Sequence, residues 1–269
     1  QEILMEQTGQ IRKMVTEIGD PIQYWLPMGE ERVGMNQFIG KDISFQYDGL
    51  ITCVLCDRKT KKSYNQGFCY PCMLNAPEAS ECIIKPELCQ GHLGGGRDPE
   101  WELKHHVQPH FVYLALSSAV KVGITRETQV PTRWIDQGAS KAILLAKTPN
   151  RYLCGALEVS LKEHFTDRTN WRKMLKNEVL EDVDLAQVKA DLKPKIDDDF
   201  QQYLTADEEV IDLLYPVEAY PEKVKSVGFD KLPEIQGRLQ GIKGQYLLLD
   251  DNRVLNMRKH TGYHIKLSA

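Results

Sequence analysis

Two pairs of cysteines carry the sharpest chemical spacing in the chain. Cys53-Val-Leu-Cys56 and Cys69-Tyr-Pro-Cys72 are CxxC pairs separated by the polar, lysine-rich residues 57–68. A CxxC turn lets two thiolates bind one ion, and four thiolates complete a closed tetrahedral zinc site. The linker has the length that joins the two knuckles of a zinc ribbon. Disulfides or redox-active thiols are the alternatives. A reducing compartment disfavours structural disulfides, and a redox motif needs only one CxxC. Structural zinc on Cys53, Cys56, Cys69 and Cys72 is therefore the expectation. Further on, Cys82, Cys89 and His92 could supply three ligands of a second zinc, with His105 or His106 as the fourth. Histidines simply facing solvent are the plainer alternative. Gly94-Gly95-Gly96 neither follows a strand nor opens a clear helix, so it is not read as a phosphate loop.

The elements able to position further chemistry lie in residues 111–175. Phe111 to Leu116 and Ala119 to Thr125 are short apolar runs around Ser117-Ser118, a hairpin signal. A short helix or turn around Arg133 and Trp134 closes at Gly138, and Ala142 to Ala146 is a third strand. Asn150 is an N-cap for a helix that sets Leu153, Leu157, Leu161 and Phe165 on one face. The expected order is β-β-α-β-α. His110, just before Tyr113, would cap the strand or assist a proton transfer.

That order, with certain residues at certain intervals, resembles the GIY-YIG endonuclease domain. Val112-Tyr113 stands where that family has its first motif, and Lys121-Val122-Gly123 where it has its second. Arg133 stands at the family's helix arginine, Glu158 at its metal-binding glutamate, and Asn170 at its trailing asparagine. The resemblance implies one divalent cation, Mg²⁺ or Mn²⁺, held by Glu158 and the scissile phosphate. It also implies that Tyr113 helps activate water, that Lys121 and Arg133 stabilise phosphoryl charge, and that Asn170 positions them locally. The chain departs from the pattern twice. Lys121 replaces the second motif's tyrosine, and Phe111 replaces the first motif's glycine; Val120-Lys121-Val122-Gly123-Ile124-Thr125 is closer to the phage-type KxGxT branch. Each residue also has a plain structural reading: a core aromatic for Tyr113, a surface charge for Arg133, a solvated helix residue for Glu158.

A second resemblance covers nearly the whole chain. The paired knuckles, Cys82 to Cys89, Arg97-Asp98-Pro99-Glu100-Trp101, Gln108-Pro109-His110, Arg133 to Ala139, Gly241 to Tyr246 and Asn256 to His260 are similar to a prokaryotic domain family of unknown function. It implies no established activity.

The 269 residues suffice for two or more small cores. Hydrophobic content of 42% and charged content of 27% are those of a soluble globular protein. No apolar run approaches the ~20 residues of a membrane span, and no basic-then-apolar leader opens the chain. A cytoplasmic protein without membrane contact is expected. Net charge is −4, but its distribution is uneven. Residues 104–176 hold twelve Lys/Arg against five Asp/Glu, +7, and residues 177–212 hold three against twelve, −9. A basic module with an acidic neighbour fits a phosphate-facing surface, and a solvated acidic helix is the plainer reading of the second part.

The expected class is α+β, with β-rich N- and C-terminal segments framing a zinc ribbon and the GIY-YIG-like module. The segments are 1–50 (β-rich), 51–110 (zinc-binding, with the possible second metal), 111–175 (the module), 176–215 (acidic and helical) and 216–269 (β-rich). The two terminal β segments are expected to pair into one sheet or barrel. Lys243, Arg258, Lys259 and His260 with Tyr246 and Tyr263 form a basic-aromatic mixture that could stack on nucleic acid, or be strand-face charges over an aromatic core. Expected function is nucleic-acid phosphodiester hydrolysis with structural zinc. The alternative is a non-catalytic zinc-containing protein that binds DNA, RNA or a ribosomal partner. A zinc-stabilised interaction scaffold is a third reading.

Overall fold

A computed structural model describes residues 5–165 and 170–269. The fold is mixed α+β, rich in strands, and divides into two compact units. One comprises Gln1–Leu74, Leu175–Asn177 and Leu213–Ala269; the other comprises Asn75–Met174 and Glu178–Asp212. The division falls inside 51–110. The CxxC pairs belong with the terminal β segments, and the later cysteines belong with the central module.

In the first unit the two ends of the chain do share a sheet. Its order is Glu6–Gln10, Tyr263–Ser268, Asp42–Ile51, Glu234–Lys243, Tyr246–Leu249, Arg253–Asn256, Lys225–Val227. Alternate residues of Tyr263–Ser268 are buried, so one face packs and the other is wetter. Asp48-Gly49, a pair common in turns, lies within the ten-residue strand Asp42–Ile51. The pairing to Tyr263–Ser268 shifts register there, and Gly49 takes φ +91°. An Asp-Gly pair serves a bulge as readily as a turn because glycine accepts positive φ. A separate three-stranded sheet joins Val15–Glu17, Gln23–Met28 and Glu31–Gly34.

Of the basic-aromatic mixture near the C-terminus, Lys243, His260 and Tyr263 are buried, Tyr246 and Arg258 are half-buried and Lys259 is exposed. Lys243 is 1% exposed and His260 0%. The Lys243 ammonium donates to Asn177 Oδ1 at 3.1 Å and faces the rings of Tyr215 and Tyr220. Burial lowers its pKa to about 8. His260 packs among Phe229 and Tyr263, with its Nδ1 against Asn256 O and its Nε2 accepting from Phe229 N. Lys243, His260 and Tyr263 thus complete a core.

The second unit follows the expected order through residue 161. Strands His110–Leu116 and Val120–Arg126 form the hairpin, then come helix Thr132–Asp136, strand Lys141–Thr148 and helix Arg151–Leu161. His110–Leu116 is the central strand, buried at every residue, with the other two antiparallel on either side. Residues at every position of a two-sided buried strand must be apolar or fully bonded, which is what FVYLAL provides. Asn150 caps the long helix by accepting from Leu153 N at 2.9 Å. Its Leu157 and Leu161 pack with Val112, Leu114, Ile143 and Leu145, and Leu185, Leu192 and Ile196 close the same core. The acidic segment is shorter in helix than expected. Leu185–Leu192 is helical, and Ile211–Asp212 instead adds a strand beside Lys141–Thr148. No helix among the described residues is long and apolar enough to cross a membrane.

Candidate functional site

The first cluster is built from two tight turns. The Sγ atoms of Cys53, Cys56, Cys69 and Cys72 all lie within 4.8 Å of one another, and those of Cys56 and Cys69 are 3.7 Å apart. Gly67 at φ +140° brings its backbone beside Val54, where a Cβ would stand 2.9 Å from Val54 Cγ2. Burial pushes the Cys53 thiol up, but the backbone N–H groups of Cys69, Leu55 and Cys56 outweigh it and hold it at about 6. Burial and its three sulfur neighbours push Cys72 up to about 12. Four sulfurs at this range cannot all ionise without a cation between them. The set could bind a metal such as zinc.

The second cluster lies in the other unit. Cys82, Cys89, Glu102 and His106 place one donor atom each within 4.8 Å of the rest, and all four residues are buried. Sequence reasoning paired the two cysteines with His92. The structure instead stacks His92 on Tyr152, 4.5 Å between ring centres. His105 turns its Nδ1 to Trp101 O, so of the two neighbouring histidines it is His106 that joins the sulfurs. Glu102 was missed, although its place one helical turn before His106 puts both on one helix face.

Of the residues singled out in the central module, Lys121, Arg133 and Glu158 come together around Tyr113. Its phenol is fully buried and donates to Gln137 Oε1 at 2.7 Å. It lies over Gly123 on the paired strand, where a Cβ would stand 2.6 Å from Tyr113 Oη. Burial pushes the phenol up to about 12 against the pull of the adjacent Arg133. Burial lowers Lys121 to about 8, with Arg133 adding to the effect and Glu158 opposing it. Glu158 is raised, chiefly by burial, while Lys162, Arg151 and Arg133 pull it down and Glu87 pushes it up. Its side chain is 14% exposed, with Lys162 Nζ 3.8 Å away. One carboxylate and two cations thus share a partly desolvated site beside a buried tyrosine. Glu87, which sequence reasoning passed over, brings a second carboxylate with a buried oxygen that lacks a hydrogen-bond partner.

Asn170 and His110 have local roles. Asn170 Oδ1 accepts from Arg172 N and Lys173 N and caps helix Trp171–Leu175. His110 is buried, its Nδ1 bonded to Gln108 O, and burial lowers its pKa to about 4. It stays neutral and structural at physiological pH.

A family model described as a protein of unknown function, DUF2797, matches residues 40–265. The chain belongs to this family. The match takes in both cysteine clusters and the module around Tyr113, so these features lie within the family's own extent. No curated protein and no solved structure matches the chain.

Proposed function

We propose that this DUF2797 protein acts on nucleic acid as a divalent-metal-dependent endonuclease on a GIY-YIG-like module. The observation that carries the reading is the grouping of Lys121, Arg133 and Glu158 around Tyr113 on a β-β-α-β-α frame. Glu158, with Glu87 beside it, suits a hard cation that takes few protein carboxylates and completes its shell with phosphate and water. Such a cation, when bound, activates water and neutralises charge on the leaving oxygen. Lys121 and Arg133 hold the phosphoryl oxygens. Tyr113, buried and committed to Gln137, positions Arg133 and does not itself meet the water. The first cysteine cluster holds a structural zinc, and the net +7 of residues 104–176 attracts the backbone.

The test is cleavage of branched, single-stranded and duplex DNA and RNA with Mg²⁺ or Mn²⁺, wild type beside Glu158→Ala. Cleavage by the wild type, abolished in the variant with folding and zinc content unchanged, is expected. Loss of one phosphoryl-stabilising donor in Arg133→Ala should slow cleavage by roughly 10²–10³-fold. A second reading, a non-catalytic DNA- or RNA-binding protein, is favoured by Lys162 lying beside Glu158. It would be supported by salt-sensitive binding without cleavage that Glu158→Ala leaves intact.

A further inference from the structure

The second cysteine cluster is built from three elements between residues 81 and 106. Cys82 lies in the 3₁₀ turn Glu81–Ile83, Cys89 follows the turn Pro86–Leu88, Glu102 lies in helix Pro99–His105, and His106 ends that helix. His106 Nδ1 is 3.8 Å from Cys82 Sγ and 3.6 Å from Cys89 Sγ, and Cys89 Sγ is 3.9 Å from Glu102 Oε2. His106 Nδ1 and Glu102 Oε2 are in direct contact. Metal–ligand bonds of about 2.3 Å to sulfur and about 2.0–2.1 Å to nitrogen or oxygen give tetrahedron edges of roughly 3.4–3.8 Å. The three sulfur distances are close to those edges.

Burial argues the same way. Glu102 is 1% exposed, His106 2%, Cys89 3% and Cys82 8%. A buried carboxylate beside two thiols is costly unless a cation or proton compensates it. The backbone is shaped for the carboxylate: at Gly96, with φ +116°, a Cβ would stand 2.5 Å from Glu102 Cγ, and at Gly91 one would stand 3.2 Å from Oε2. Ser80 Oγ lies 3.2 Å from Cys82 Sγ, and Trp101 packs edge-on to His106, the outer contacts that orient ligands. A cavity of about 310 Å³ reaches Cys82 and Glu102 and supplies a way in for an ion.

We propose a second metal centre, in which Cys82 Sγ, Cys89 Sγ, Glu102 Oε2 and His106 Nδ1 hold one zinc-class divalent cation. Two thiolates and an imidazole select a borderline-soft metal over Mg²⁺ or Ca²⁺. Four protein donors close the shell, so the centre is structural. Two thiolates and a carboxylate carry three negative charges against two on the cation. The Arg151 guanidinium, which donates to Cys82 O and Ile83 O at 2.9 Å, faces the remainder. The centre thereby braces the helix that carries Glu158. Arg151 N donates to His106 O, and Gly155 lies against the Pro86–Glu87 backbone so closely that a Cβ would stand 2.4 Å from Glu87 N. The site stands whether or not nucleic acid is cleaved.

The test is metal content of the full chain, purified under reducing conditions and measured by native mass spectrometry and elemental analysis. Two zinc equivalents per chain are expected. Cys89→Ser and Glu102→Ala should each lose one and keep the other, and Cys56→Ser should lose the complementary one. Cobalt titration of the wild type covers the case of variants that do not fold. It should saturate in two phases, the weaker thiolate charge-transfer band belonging to the two-sulfur centre. Hydrogen exchange in residues 151–161 should quicken in Cys89→Ser. One equivalent in the wild type, or a single cobalt phase of four-thiolate intensity, would overturn the proposal. So would a denatured mass two hydrogens light that maps to a Cys82–Cys89 disulfide.

Discussion

Gly123 has no side chain where the phenol of Tyr113 needs room. A methyl there would overlap Tyr113 Oη, and displacing the ring should cost about 1–3 kcal/mol. Gly123→Ala should therefore lower the unfolding free energy by that amount, read as an earlier denaturation midpoint. Tyr113→Phe keeps the packing but strands the Gln137 carbonyl, a loss of roughly 1–3 kcal/mol for an unsatisfied buried acceptor. In the endonuclease reading it also slows cleavage by freeing Arg133. In that same reading the pH profile of cleavage should have two limbs. Glu158, with its pKa raised, must lose its proton to hold a cation, so activity rises with pH through a point above the ordinary carboxylate value. Lys121 must keep its proton to hold phosphate, so activity falls above about pH 8. Lys121→Arg, which keeps its charge at all accessible pH, should extend the alkaline limb, and an unchanged limb would remove Lys121 from that role. At this scale the sequence was readable where spacing encodes geometry, as in the CxxC pairs. It was silent where a fold brings distant residues together, as with Glu87. Composition alone also could not say that Lys243 and His260 point inward.

The elements of the module were legible because each has a local signal. Ser117-Ser118 turns the hairpin, Gly138 ends the short helix at φ +68°, and Asn150 caps the long one. Asn150→Ala removes the acceptor for Leu153 N and should destabilise the fold by about 1 kcal/mol, readable as a shift in thermal unfolding. Asp48-Gly49 is ambiguous in sequence because the same pair serves turn and bulge, and only the partner strand decides. Ile211–Asp212, within the segment expected to be helical, misled for a related reason: this strand exists only because Lys141–Thr148 offers it an edge.

Across the whole molecule, the first cysteine cluster belongs with strands from both ends of the chain. Cys56→Ser should lose one zinc equivalent and open residues 53–72 to limited proteolysis, while the strands and long helix of the central module stay protected. Cuts appearing first within residues 110–161 would contradict that division. The pairing of Glu6–Gln10 with Tyr263–Ser268 also sets a timetable for synthesis. A ribosome adds about 5–20 residues each second, so the early strand emerges many seconds before its neighbour exists. The central module, nearly continuous between Asn75 and Asp212, can fold in that interval. The sheet of the first unit must wait, its unpaired edge open to chaperones, until Tyr263–Ser268 has left the exit tunnel.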